Sequence, residues 1–179
     1  MPMRSEKGFT LIEIMIVVAI VGIGAMMAVS NLQGWNRHNN FVGFQRQVFS
    51  EIQEARSRAF SIRRQYRLTF DLDAETLLLE RGNAGSGSTV WTADRATVSV
   101  PGGCSMDDIA WLRAGAGATP SSGMFYMVFS PGGDVYRLAG GVVTPLDTAN
   151  IHLSNVLGET ATVQLFCWTG KSRLSVGTI

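Results

Sequence analysis

Glu13 is the one charged side chain between Phe9 and Val29, a run that reads FTLIEIMIVVAIVGIGAMMAV, and Thr10 is its only other plainly polar residue. A carboxylate among so many apolar side chains needs a cationic partner or water, because an unpaired buried charge is costly. Backbone chemistry offers the nearest partner. If the chain were cut between Gly8 and Phe9, a new α-amine would appear four residues before Glu13. Residues at i and i+4 share one face of a helix. Two staggered copies could then pair the amine of one with the carboxylate of the other.

The element that must carry these groups is a helix. At about 1.5 Å per residue, Phe9 to Val29 would extend roughly 30 Å, the hydrocarbon thickness of a bilayer. Eleven of its residues are Phe, Leu, Ile or Val. Each favours insertion by about 0.3–0.6 kcal/mol, or about 3–7 kcal/mol together. That margin tolerates one carboxylate near the helix end but gives no reason for it. A secretory signal peptide would explain Arg4 and Lys7 as a basic start and Ala28-Val29-Ser30 as a cleavage site. Against it, the run exceeds the roughly 7–15 apolar residues of such signals, and Glu13 interrupts it. A plain membrane anchor accounts for a snorkelling Glu13 and leaves the Gly8-Phe9 junction unexplained.

Gly8, Phe9, Thr10, Leu11, Ile12 and Glu13, behind a short leader holding Arg4 and Lys7, resemble the N-terminus of type IV pilins and of the pseudopilins of type II secretion. The resemblance implies cleavage by a prepilin peptidase between Gly8 and Phe9, N-methylation of Phe9, and a role for Glu13 in assembly. It also implies the pilin fold: α+β, with a long N-terminal transmembrane and amphipathic helix packed on an antiparallel β-sheet domain. The expected organisation is a leader over 1–8, a transmembrane helix half over 9–29, an amphipathic helix half over 30–64 and a periplasmic β-rich domain over 65–179. Many pilins have a Pro just past the apolar run. Here Ser30-Asn31 stand there, so the helix is expected to run on, weakened by Gly34 and the polar stretch Asn36–Asn40. Asn39 or Asn40 could cap a local restart.

The chain has 179 residues, 16% of them charged, and a net charge of +1, room for one membrane helix and one globular domain. So even a balance gives no overall argument for nucleic acid. Cys104 and Cys167 fall in the part expected to face the periplasm, where disulfides persist, so they are a disulfide candidate, with two buried free thiols as the alternative. His38 and His152 are the only histidines, and each reads as a surface or satisfied core residue. There is no nucleophile motif, phosphate-cradling Gly loop or metal-ligand spacing. The chain is expected to be a substrate of enzymes rather than an enzyme, without cofactor or metal.

Phe41, Phe44, Val48, Ile52, Ala55, Ala59 and Ile62 follow steps of three and four, one apolar helix face. Glu54 and Arg58 are spaced to pair at i,i+4. Beyond Gln65 strands are expected at Tyr66–Leu72, Thr76–Arg81, Ala96–Val100, Phe125–Phe129, Val135–Leu138, Ile151–Leu153, Ala161–Trp168 and Ser172–Val176. Turns fall at Asp73-Ala74-Glu75, at Ser130-Pro131-Gly132-Gly133-Asp134 and at Thr169-Gly170-Lys171. Gly82–Ser88 and Ala114–Gly123 read as flexible loops.

Tyr66–Asp71, Phe129–Gly133 and Thr169–Arg173 resemble the GspH/FimT branch, meaning H-type minor pseudopilins of type II secretion and T/U-type minor pilins. That resemblance implies a subunit that assembles non-covalently with other pilins or pseudopilins, near the tip of a pseudopilus or pilus. The resemblance also implies a role in protein secretion or pilus biogenesis at the bacterial inner membrane, which the chain would cross once. In T-type minor pilins of competent bacteria a terminal Gly-Arg-x-Arg turn contributes to binding DNA. Here Gly170-Lys171-Ser172-Arg173 has Lys for the first Arg, a point charge without the two-pronged guanidinium fork. Lys171 and Arg173 are therefore the candidate DNA contacts, with a solvated hairpin turn as the plainer reading. Seven Arg lie between Arg37 and Arg67 against Glu51 and Glu54, and seven acids between Leu68 and Leu112 against two Arg. This polarity would suit neighbouring subunits in a filament, lipid head groups near Arg37, or solubility alone.

Overall fold

The computed structural model describes residues 9–177. They fall into two compact units that divide between His38 and Asn39. One helix, α1 (Leu11–Ile62), opens the chain. Asn39 and Asn40 lie inside it, so neither caps a restart. From Asn39 onward its buried face is Phe41, Phe44, Val48, Ile52, Ala55 and Ala59, as the period of three and four demands. Ile62, the last member of the expected stripe, is instead 46% exposed, because the helix ends there and the chain turns away. Arg63 supplies that turn with a positive φ of 56°.

Among the described residues twelve strands follow in chain order. They are β1 (Tyr66–Asp71), β2 (Thr76–Gly82), β3 (Trp91–Ala93), β4 (Val98–Ser99), β5 (Cys104–Arg113) and β6 (Ala116–Ala118). Then come β7 (Met124–Phe129), β8 (Val135–Ala139), β9 (Val142–Pro145), β10 (Thr148–Asn155), β11 (Thr160–Phe166) and β12 (Lys171–Gly177). A first antiparallel sheet runs β3-β2-β1-β7-β8-β9, with β4 also paired to β2, and a second runs β12-β11-β10-β5-β6. Alternation decides the faces: Tyr66, Leu68 and Phe70 of β1 point inward with Phe125, Met127 and Phe129 of β7. Ile151 and Leu153 of β10 do the same with Val163 and Ala161 of β11. These residues and the helix stripe form one hydrophobic core.

Four expectations change, the first being that β3 and β9 fall where no strand is expected. The longest strand, β5, falls where none is expected. His152 of β10 faces Asp108, but Leu153 faces Met106, so Asp107 is the extra residue of a β-bulge. The bulge breaks the period of two: Cys104, Met106 and Ile109 are all buried although their spacing is two and then three. Ala114–Gly123 is not wholly loop, for its small residues Ala116–Ala118 form β6 at the sheet edge. Gly82–Ser88 is pinned rather than free. The Ser88 N–H donates to Gln65 Oε1 at 2.8 Å, the Gln65 N–H donates to the Ala84 carbonyl at 2.9 Å, and Ser88 Oγ donates to the same carbonyl at 2.9 Å.

Candidate functional site

At the N-terminal junction Gly8 lies outside the described residues, while Phe9 is 80% exposed. Thr10 stands just before α1. Its carbonyl accepts the Glu13 N–H at 3.1 Å and the Ile14 N–H at 3.3 Å, and its hydroxyl accepts the Glu13 N–H at 3.3 Å. Thr10-Leu11-Ile12-Glu13 is thus a capping-box sequence, with Thr10 satisfying a donor the helix start would leave open. That signal is legible in the sequence, and it is the Glu13 backbone N–H that meets Thr10. The helix dipole also favours a carboxylate in the first turn. Among the described residues no ion pair reaches Glu13.

Every described side chain from Phe9 to Met26 is exposed, on all sides of the helix. Of the expected span over 9–29, the side chains of residues 27–29 lie outside the described set. Among the described residues no helix is long and apolar enough to cross a membrane.

The C-terminal hairpin is held from the helix. Arg56 donates to the Gly170 carbonyl at 2.5 Å and to the Thr169 carbonyl at 3.3 Å, and the Gln53 amide donates to Ser172 Oγ. Gly170 has φ 60°, and a methyl group there would overlap the Arg56 guanidinium. Arg56 and Gln53 are contributors that the sequence reading did not single out, since both lie off the apolar stripe. Lys171 and Arg173 sit on β12, opposite Phe166 and Gln164 of β11, on the outward face and exposed. Because β12 is a sheet edge, two cations there also discourage strand-to-strand aggregation. Nearby, Trp168 is 81% exposed, and its indole N–H donates to Asp147 at 2.7 Å. The Ala114 N–H, then that indole, hold the Asp147 carboxyl below the usual range.

Two arginines of the helix, Arg56 and Arg58, are engaged within the domain, as are Arg67 and Arg95 beyond it. Arg58 pairs with Glu54 at 2.7 Å and with Asp94, and Arg95 bridges Glu51 and Glu54, both at 2.8 Å. The hydrogen bonds from Arg95 and Arg58 lower the Glu54 pKa. Arg67 pairs with Glu80 at 2.8 Å and lies against Trp91 and Tyr126, 4.6 and 4.7 Å from the ring centres. The excess of basic residues on the helix is therefore partly an internal matter.

Cys104 and Cys167, the disulfide candidate, are both free and buried. Topology keeps them apart. Cys104 pairs with Asn155 at one end of β10, whereas the Cys167 N–H donates to the Asp147 carbonyl beyond the other end, at Thr148. Seven strand steps separate those ends, about 23 Å, and a disulfide needs Cα atoms within about 7 Å. Burial, then the Asp147 charge, push the Cys167 thiol up to about 12, and burial raises Cys104 as well. His152 Nδ1 lies 2.6 Å from Asp108 on the outward face of the second sheet, while Ser154 and Ser105 both donate to Asp107. Among the described residues no group of three His, Cys, Asp or Glu side chains is placed to hold a metal ion.

No solved structure matches the chain. Residues 3–29 match the family model of the prokaryotic N-terminal methylation motif. The match spans the Gly8-Phe9 junction, the capped helix start and Glu13, and it supports a type IV pilin-like prepilin.

Proposed function

We propose that this chain is a minor subunit of a type II secretion pseudopilus or a type IV pilus, of the GspH/FimT kind and near the filament tip. The methylation motif at residues 3–29 supports the pilin-like part of this reading. In it the apolar helix anchors the prepilin once in the bacterial inner membrane with the β-domain in the periplasm. A prepilin peptidase cuts after Gly8, the Phe9 amine is methylated, and Glu13 of one subunit pairs with the amine of a neighbour in the filament. The chain itself is not an enzyme, and its work is non-covalent. Mass spectrometry of the protein purified from its own membranes tests this. The expected N-terminus is methylated Phe9, and Gly8→Val is expected to leave the leader in place. A mature start at Asn31, or an uncut parent, would overturn the reading.

A second reading is a DNA contact on a competence pilus through Lys171 and Arg173. It is supported by their exposure side by side on the outward face of β12. Two phosphate contacts give a slope of log affinity against log salt of only about −1.4 to −1.8. Arg56, the other cation at the turn, is already engaged by backbone carbonyls. The expected result is no DNA retardation at low salt by the full chain in detergent. Retardation that Lys171→Ala with Arg173→Ala abolishes would establish the DNA reading instead.

A further inference from the structure

The strands at the sheet edges present backbone groups with no neighbouring strand, and most of these edges are blunted. In the first sheet β3 has three residues, β4 two, and β9 four with Pro145 closing it. In the second sheet β6 has three. Short edges and proline are common protections against an added strand. β12 departs from this pattern. It keeps seven residues without a proline, and its pairing with β11 runs from Lys171 opposite Phe166 to Gly177 opposite Thr160 with no shift of register. Among the described residues, no backbone-to-backbone hydrogen bond outside the ladder with β11 reaches Arg173 to Gly177.

Side-chain register fixes the chemistry of a strand laid on this edge. On the outward face Lys171 and Arg173, both exposed, stand opposite Phe166 and Gln164. Neither cation has an ion pair among the described residues. On the inner face Ser172, Leu174 and Val176 stand opposite Leu165, Val163 and Ala161, all three of which are buried. Val176 is nevertheless 61% exposed, since β12 is the last strand on that side. Hydrogen bonds from the helix reach Thr169, Gly170 and Ser172 and none of the later residues of β12.

We propose that the β12 edge takes up an extended segment of a partner protein in which acids alternate with apolar side chains. Seven residues of such a segment match the strand, a length of about 23 Å. Backbone hydrogen bonds to the free side of β12 hold the segment, and its side chains select it. Its acids meet Lys171 and Arg173, because opposite charges on neighbouring strands attract across one face. Its apolar residues, on the other face, cover Val176 and continue the row that Leu174 begins. A second copy of this chain fits less well. Antiparallel pairing of two β12 strands gathers four cations on one face, with no acid in either strand. Single-stranded DNA would use the cations and leave the backbone row and Val176 uncovered.

The test is amide NMR on the full chain in a zwitterionic detergent, with unlabelled probes added. The first probe is the peptide Thr-Val-Glu-Val-Asp-Val-Thr. Its controls are Thr-Val-Lys-Val-Lys-Val-Thr, the first peptide with a fully N-methylated backbone, the β12 sequence Lys-Ser-Arg-Leu-Ser-Val-Gly, and a thymidine oligonucleotide. The acidic peptide is expected to bind with Kd of roughly 100 μM. It should slow hydrogen exchange of amides within β12, and none of the controls should do so. Lys171→Glu with Arg173→Glu is expected to weaken the acidic peptide at least about tenfold and to admit the lysine peptide instead. Circular dichroism checks that this variant is folded, and the N-methylated peptide tests the backbone contacts without any substitution. Four results would overturn the proposal. They are no binding of the acidic peptide at about ten times that Kd, equal binding of its N-methylated form, exchange slowed elsewhere than β12, or preference of the parent chain for the lysine peptide, the β12 peptide or the oligonucleotide.

Discussion

The two units of this chain handle their side chains in opposite ways. From Asn39 onward the chain builds one hydrophobic core, with Phe60 and Trp168 among the apolar residues left outside it, and Arg58, Arg67 and Arg95 each find a carboxylate inside the domain. From Phe9 to Met26 the apolar side chains are exposed all round the helix, and Glu13 has no ion pair among the described residues. A helix apolar on every side is stable only when lipid or other helices surround it. The second unit thus has a core of its own, while the described N-terminal part of the helix leaves its apolar side chains exposed. The match to the methylation motif falls on that dependent part.

The sharpest break of this contrast is Glu13→Val. If the carboxylate pairs with a neighbour's amine in an apolar bundle, removing it leaves that amine uncompensated, a loss of about 3–5 kcal/mol. That is more than about a hundredfold in subunit association. Filament or pseudopilus assembly, followed by immunoblot of sheared fractions, is expected to be lost while membrane insertion is kept. Full assembly by the variant would mean that Glu13 has no assembly role.

A matched pair of substitutions separates the units by stability. Ile52 is 1% exposed, and Ile52→Ala is expected to cost the domain about 2–5 kcal/mol in denaturant unfolding. Ile16→Ala, at an exposed position of the first unit, should move the same transition by less than about 0.5 kcal/mol. Equal effects would mean that the two units fold as one.

The smallest effect concerns the thiols. Cys167 is raised from 9.0 to about 12 in the fold, so the unfolded chain ionises first as pH rises. The stability tied to the protonated thiol is complete below about 9, declines above it and is gone once pH passes about 12. Near neutral pH the folded chain is expected to show no fast alkylation. Unfolding without reductant should release both thiols, whereas a disulfide would release neither.

Much of the β-domain was legible because burial on one face imposes a period of two. The hairpin of β1 and β2, the β7–β8 turn at Ser130–Asp134 and the β11–β12 turn all stand where alternation and turn residues place them. Two of the strands that escaped, β5 and β6, have a clear physical cause. The bulge at Asp107 hides the alternation of β5. Ala116–Ala118 carries no side chain large enough to signal a strand. The Thr10 cap was open to reading, since it needs only the spacing of Thr10 and Glu13.

By itself, then, the sequence determined the processing motif, the apolar helix with its one acid, the core stripe of the second unit and most strands. Local spacing and periodic burial set all of these. The tertiary structure alone decided that Cys104 and Cys167 lie at opposite ends of β10, because strand order sets such distances. It alone decided that Arg56 clasps the Thr169-Gly170 turn and that Glu51 meets Arg95, contacts between residues far apart in the chain. And it alone brought the Gly85–Ser88 segment and the Ser130–Asp134 turn together around one cleft, since only the pairing of strands places two distant loops side by side.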